Sequence, residues 1–226
     1  MTRTLGAAAA ALLALTASAF TADGLSLKVE DTPPPKELSD AVRALLDPKG
    51  MTVLNEKGQP ICTVWRAKGL ESKASADQVS AGLKYSNIEE TTLVGAVRFP
   101  ADWSDYRKQK IKAGVYTLRL AVKPMDGDHM GTAPYSEFCL LVPAALDKKP
   151  DLMDPKDLQA LSTKSNTRKH PGVMLLFPNR KPADAPAVEA KPREHWVLSF
   201  REPVTAEGQK TTLGFSLVVV GQTMAE

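Results

Sequence analysis

The chain has 226 residues, 24% of them charged and 43% hydrophobic, with a formal net charge of +3. So even a balance argues against nucleic acid as a partner. The apolar share is that of an ordinary folded domain and argues against a disordered chain.

The first residues fall into three zones. Arg3 gives a short positive region, Leu5 to Leu15 an apolar Ala/Leu run, and Ala17-Ser18-Ala19 the small residues that a signal peptidase reads. The pattern predicts a signal peptide over residues 1–19, with cleavage before Phe20. The apolar run is too short for a membrane anchor, which needs about twenty residues. No Cys follows it to take a lipid. An exported protein, periplasmic or extracellular, is expected, with residues 20–226 as one domain and no transmembrane segment.

Leu25 to Val29 alternates as a strand does. After Pro33-Pro34-Pro35, the spacing of Leu38, Val42, Leu45 and Leu46 predicts a short helix ending at Asp47-Pro48. Met51–Leu54 and Ile61–Arg66 read as a hairpin around Glu56-Lys57-Gly58-Gln59. Another short helix is expected over 75–83.

From Thr91 onward the pattern is β. Strands are expected over 92–97, 115–122, 138–142, 172–177 and 213–220, and around Trp196, Leu198 and Phe200. In 115–122, Tyr116, Leu118, Leu120 and Val122 share a core face, while Thr117 and Arg119 point the other way. Asp154-Pro155 opens a helix carrying Leu158 and Leu161, with Pro where a first turn favours it. The Ala/Pro-rich stretch 182–192 reads as an exposed loop. Many short strands with two or three short helices indicate a mainly β fold, an antiparallel β-sandwich of Ig-like or jelly-roll-like type.

Within this pattern, Lys112-Ala113-Gly114-Val115-Tyr116-Thr117-Leu118 resembles the turn-to-strand segment of secreted bacterial β-sandwich modules, transthyretin-like and carboxypeptidase-regulatory-like. It is also similar to a segment of uncharacterised exported sandwich proteins. The resemblance covers residues 112–118, implies the same fold class and carries no catalytic residue.

Cys62 and Cys139 both lie in strand-like runs. In an oxidising compartment they are a candidate disulfide, contributing about 4 to 5 kcal/mol by chain entropy alone. The alternative is two separate buried thiols acting as small hydrophobes.

Few polar clusters could carry chemistry. Gly-x-Ser-x-Gly, His-Glu-x-x-His, Cys-x-x-Cys and the phosphate-binding Gly-rich loop are all absent. Asp126, Asp128 and Glu137 fall at the first, third and twelfth positions of a calcium-type loop, with Gly131 at the sixth. Met130 and Pro134 occupy ligand positions and strands flank the loop, which excludes a true EF-hand. A calcium-binding loop between strands remains a candidate, against the plainer reading of a turn. His129 is a weaker metal candidate, alone or with His170 and His195.

Arg107, Lys108, Lys110 and Lys112 form a basic run beside Trp103 and Tyr106. It suits an anionic glycan or membrane surface, or lysines guarding a sheet edge. Trp65 and Trp196 read as core. These features favour an exported binding or structural module, with a glycan or protein partner, over an enzyme. The alternative is a metal-dependent enzyme using the 126–137 loop and the histidines.

Overall fold

The computed structural model describes residues 24–123, 134–168 and 170–223; the expected signal peptide lies outside them. Five strands alternate with two short helices in the first half: β1 (Ser26–Asp31), α1 (Asp40–Ala44), β2 (Lys49–Leu54), β3 (Pro60–Arg66), β4 (Leu70–Ser72), α2 (Ala76–Ser80) and β5 (Leu93–Phe99). The short β6 (Trp103–Ser104) and β7 (Lys110–Ile111) lead into β8 (Gly114–Val122) and β9 (Glu137–Pro143). Then come α3 (Pro155–Ser162), β10 (Gly172–Leu175), β11 (Ala187–Lys191), β12 (His195–Ala206) and β13 (Gln209–Val220).

The strands form two main sheets. One is seven-stranded in the order β1-β2-β3-β5-β8-β9-β10, antiparallel throughout. The other is β11-β12-β13, with β4 added in parallel along the end of β12 through Val204↔Leu70. The sheets meet where Leu176 bridges Leu217 and Phe177 N–H donates to Ser216 O at 2.9 Å. The expected antiparallel, β-sandwich-like architecture with three short helices is borne out.

The main core lies between the sheets. Val53, Cys62, Val64, Val97, Leu118, Leu120, Cys139 and Leu141 from the larger sheet face Leu198, Phe200, Val204, Phe215 and Leu217 from the smaller one. Each fully buried Val, Leu or Phe contributes about 1.5–3 kcal/mol by leaving water.

A third layer covers the outer face of the larger sheet. Ser39 caps α1 by accepting from Val42 N at 3.3 Å, and its own hydroxyl donates to Lys148 O at 2.7 Å. Leu38, Val42 and Leu46 then pack on Trp65, Ala96 and Val115. Asp154 caps α3 through Lys156 N, and Leu158 packs on Ala121, Leu140 and Val142.

One expectation is corrected: residues 187–191 are a strand, not part of an exposed loop, pairing with β12 through Val188↔Leu198. Thr117 and Arg119 point away from the core face as expected, and both are fully buried beneath the 144–153 segment.

That burial is possible because every donor of Arg119 is met. Its guanidinium donates to both carboxylate oxygens of Asp147, at 2.7 and 2.9 Å, and to the backbone carbonyls of Thr91, Lys149 and Asp151. A guanidinium has five N–H donors, so none is left over.

Candidate ligand-binding cleft

A cleft of about 630 Å³ opens at the end of the molecule where the β6–β7 hairpin, the β11–β12 turn and the last residues of β13 meet. Its volume falls within the range of small-molecule sites, about 300–1,000 Å³. Trp103 and Trp196 line it, with Ser104, Lys108, Arg193 and Glu194, and residues 220–223 close it.

The β6–β7 hairpin is built around a buried acid. Asp105 Oδ1 accepts from the backbone N–H groups of Arg107 (2.9 Å) and Gln109 (2.8 Å). Its Oδ2 accepts from Gln109 Nε2 (2.8 Å) and from Val173 N (3.1 Å), which ties the hairpin to β10. Burial pushes the carboxyl up despite these bonds. The turn that results holds Lys108 at φ 61° on the cleft rim.

The opposite rim is the Pro192–His195 turn. Arg193 and Glu194 sit at φ 64° and 58°, the left-handed region that tight hairpins ordinarily give to Asn-Gly. Beneath them His195 is buried, its Nδ1 2.9 Å from Pro192 O. Its ring stacks on Tyr106 and packs against Phe177, with centroids 5.7 and 5.5 Å away. Only glycine fits at Gly221, where φ is +134° and a Cβ would lie 2.4 Å from His195 Cδ2.

The indoles are fixed from behind. Trp103 stacks on Phe99 at 4.6 Å and 12°, and its Nε1–H donates to Val219 O at 2.9 Å. Phe99 covers one face, so the other face or outer edge lines the cleft. The six-membered ring of Trp196 lies directly on Gly24.

The charges differ in their partners. Lys110 pairs with Asp102 at 2.7 Å, which holds that carboxyl below its usual range. Among the described residues Lys108, Arg193 and Glu194 join no ion pair. Arg193 lies close enough to Tyr106 to oppose the upward push that burial exerts on its phenol.

The sequence-derived candidates are placed as follows. Asp126, Asp128 and His129 lie outside the described residues. Glu137 opens β9 and lines a separate recess of about 100 Å³ with Lys84, Tyr85 and Arg180. His170 is exposed and His195 buried. Among the described residues no group of three or more His, Cys, Asp or Glu could hold a metal ion.

The Cys62–Cys139 disulfide does not form; both thiols are free and fully buried. They belong to one sheet, with β5 and β8 between their strands. Three inter-strand steps alone put them at least about 14 Å apart, twice the span of a disulfide, and the register offsets them further along the strands. Burial pushes the Cys62 thiol up to about 12 and the Cys139 thiol up as well.

Sequence reasoning singled out Trp103 and Lys108 but assigned Trp196 to the core and passed over Arg193 and Glu194.

It also missed Glu202, fully buried on the inward face of β12 between Phe200 and Val204. Neither carboxylate oxygen accepts a well-formed hydrogen bond among the described residues; the nearby Ala67 N–H, which donates to Val94 O, gives it only weak support. Burial pushes this acid well above the ordinary carboxylate range; the Arg66 charge opposes that push and Asp47 adds to it.

No family model, no curated protein and no solved structure matches the chain.

Proposed function

We propose that this chain is an exported binding module that holds a saccharide in the cleft between Trp103 and Trp196. The observation that carries the reading is the convergence of two anchored indoles with unpaired polar groups in one cavity of ligand size. Indoles offer flat apolar surface at low entropic cost, which suits the C–H face of a sugar ring. Fixed polar groups around them supply orientation and specificity. The signal-peptide pattern of Arg3, Leu5–Leu15 and Ala17-Ser18-Ala19 supports export.

Titration with neutral and acidic tetrasaccharides, followed by tryptophan fluorescence, tests the site. Binding should perturb the emission, and Trp103→Ala should weaken it about fivefold or more, the equivalent of about 1 kcal/mol of stacking. A signal unchanged in Trp103→Ala and Trp196→Leu refutes the cleft. N-terminal sequencing of material from a secreting host should begin at or near Phe20; an intact Met1 on exported protein refutes the export reading.

A further inference from the structure

We infer that the sugar taken by this cleft is acidic, its anionic group held between the Arg193 guanidinium and the Lys108 ammonium. The inference rests on the cleft being a saccharide site and adds the charge of the ligand.

Three observations carry it. The first is pairing. Arg43, Arg66, Arg98, Arg119 and Arg201 each pair with a carboxylate of this chain. Arg193 does not, although Glu194 is its neighbour in sequence; among the described residues Arg107, Arg168 and Arg180 are unpaired as well, and of these four Arg193 alone lines the cleft. Lys108 is likewise unpaired, whereas Lys110 in the same hairpin has Asp102.

The second is backbone strain. The β12–β13 turn also takes two left-handed residues, Glu207 at φ 47° and Gly208 at φ 76°, and places glycine at the second. The β11–β12 turn is longer, with three residues between the paired Lys191 and His195, and it too puts two of them, Arg193 and Glu194, in the left-handed region that neither favours. A turn that only reverses the chain would gain from Asn-Gly; this one keeps two charged side chains and aims them at a cavity. Such local strain gathers at ligand clamps.

The third is the fit of the groups. A planar guanidinium fork matches a carboxylate or sulfate ester through two parallel hydrogen bonds, and the lysine adds a point charge. Gln222 Nε2 donates to Ser104 Oγ at 2.7 Å. The Ser104 hydroxyl hydrogen and Gln222 Oε1 are thereby left to meet ring hydroxyls, and Glu194 supplies another acceptor. Lys108 and Arg193 against Glu194 leave one positive charge in excess, suited to one acidic group per site.

The test uses the whole secreted chain and three tetramers: tetragalacturonate, its methyl ester and a sulfated galactose tetramer. At low salt one of the acidic tetramers should bind at least about tenfold tighter than the ester, as a charge-assisted bidentate contact implies. That preference should shrink as ionic strength rises.

Lys108→Ala should reduce the preference to about twofold while leaving ester binding intact, and the double variant Arg193→Asn with Glu194→Gly should reduce it as far while also weakening the ester by the acceptor that Glu194 supplies. The double variant places favoured residues in the turn, and an unchanged or raised Tm separates its loss of selectivity from unfolding. Equal binding of ester and acidic tetramers overturns the acidic assignment and leaves the saccharide cleft standing. Failure of all three tetramers to perturb the tryptophan emission overturns both.

Discussion

Arg119 and Asp147 face each other through two parallel hydrogen bonds at 2.7 and 2.9 Å, with the arginine wholly and the aspartate almost wholly shut off from water. Arg119 sits mid-strand in β8, and Asp147 belongs to the 144–153 segment that runs over the outer face of the sheet. The pair therefore ties the outer layer to the sheet. Replacing Arg119 by Met leaves Asp147 buried without its counter-charge and should cost about 3–5 kcal/mol. Urea denaturation would measure this; a loss below about 1 kcal/mol would show that the pair does not anchor the outer layer.

Glu202 gives a pH dependence whose sign follows from its surroundings. Its folded-state pKa lies above the ordinary value of 4.5, so the neutral acid is the form that the fold accommodates. The stability tied to this group is fully present below about pH 4.5 and declines as pH rises through the folded value. Glu202→Gln should flatten that decline in melts recorded from pH 5 to pH 8. Glu202→Leu removes a poorly partnered buried group and should stabilise the protein at neutral pH by about 1–3 kcal/mol. An identical pH profile for the unmodified protein and Glu202→Gln would refute this assignment.

The thiols should be inert in the folded protein. Both are fully buried and pushed above the usual thiol range, and the thiolate is the reactive form. Iodoacetamide should label neither Cys62 nor Cys139 in native buffer and both in denaturant. Reductant should leave the melting temperature unchanged. A linked peptide pair in a non-reduced digest would contradict the sheet order described above.

Relief of the strained turn should be visible as stability alone. Arg193→Asn with Glu194→Gly lets a left-handed pair adopt its preferred residues, and the gain should be about 1–2 kcal/mol. In a domain of this size that is a rise of several degrees in Tm, at roughly 2–4 °C per kcal/mol. A fall in Tm would show that the Arg193 and Glu194 side chains hold the turn together by contacts of their own.

Local pattern carried much of the architecture. Alternation in Leu25–Val29 became β1, the Met51–Leu54 and Ile61–Arg66 runs became β2 and β3, and Asp154-Pro155 marked the start of α3. It failed where a decision depended on distant chain. Thr117 and Arg119 alternate with apolar neighbours as a solvent-facing pair would, and nothing near them announces that residues 144–153 will cover that face. Ala187 to Lys191 lacks the β-branched and aromatic density of a strand apart from Val188, and it becomes one because β12 offers an edge. The cleft was half legible: Trp103 and Lys108 stood out as an aromatic next to a basic run. Their counterparts, Arg193 and Trp196, lie nearly a hundred residues later and are delivered by the β11–β12 hairpin.

The parallel pairing of β4 with β12 carries a kinetic consequence. It joins Leu70 to Val204, and the seam between the sheets joins Leu176 to Leu217 near the end of the chain. Contacts of such sequence separation demand large loop closures before they return any stabilisation, so folding should be slow for a domain of this length. Until β12 and β13 have been made, the inward face of the seven-stranded sheet has nothing to pack against. The packing of the main core is thus available only once β13 has been made.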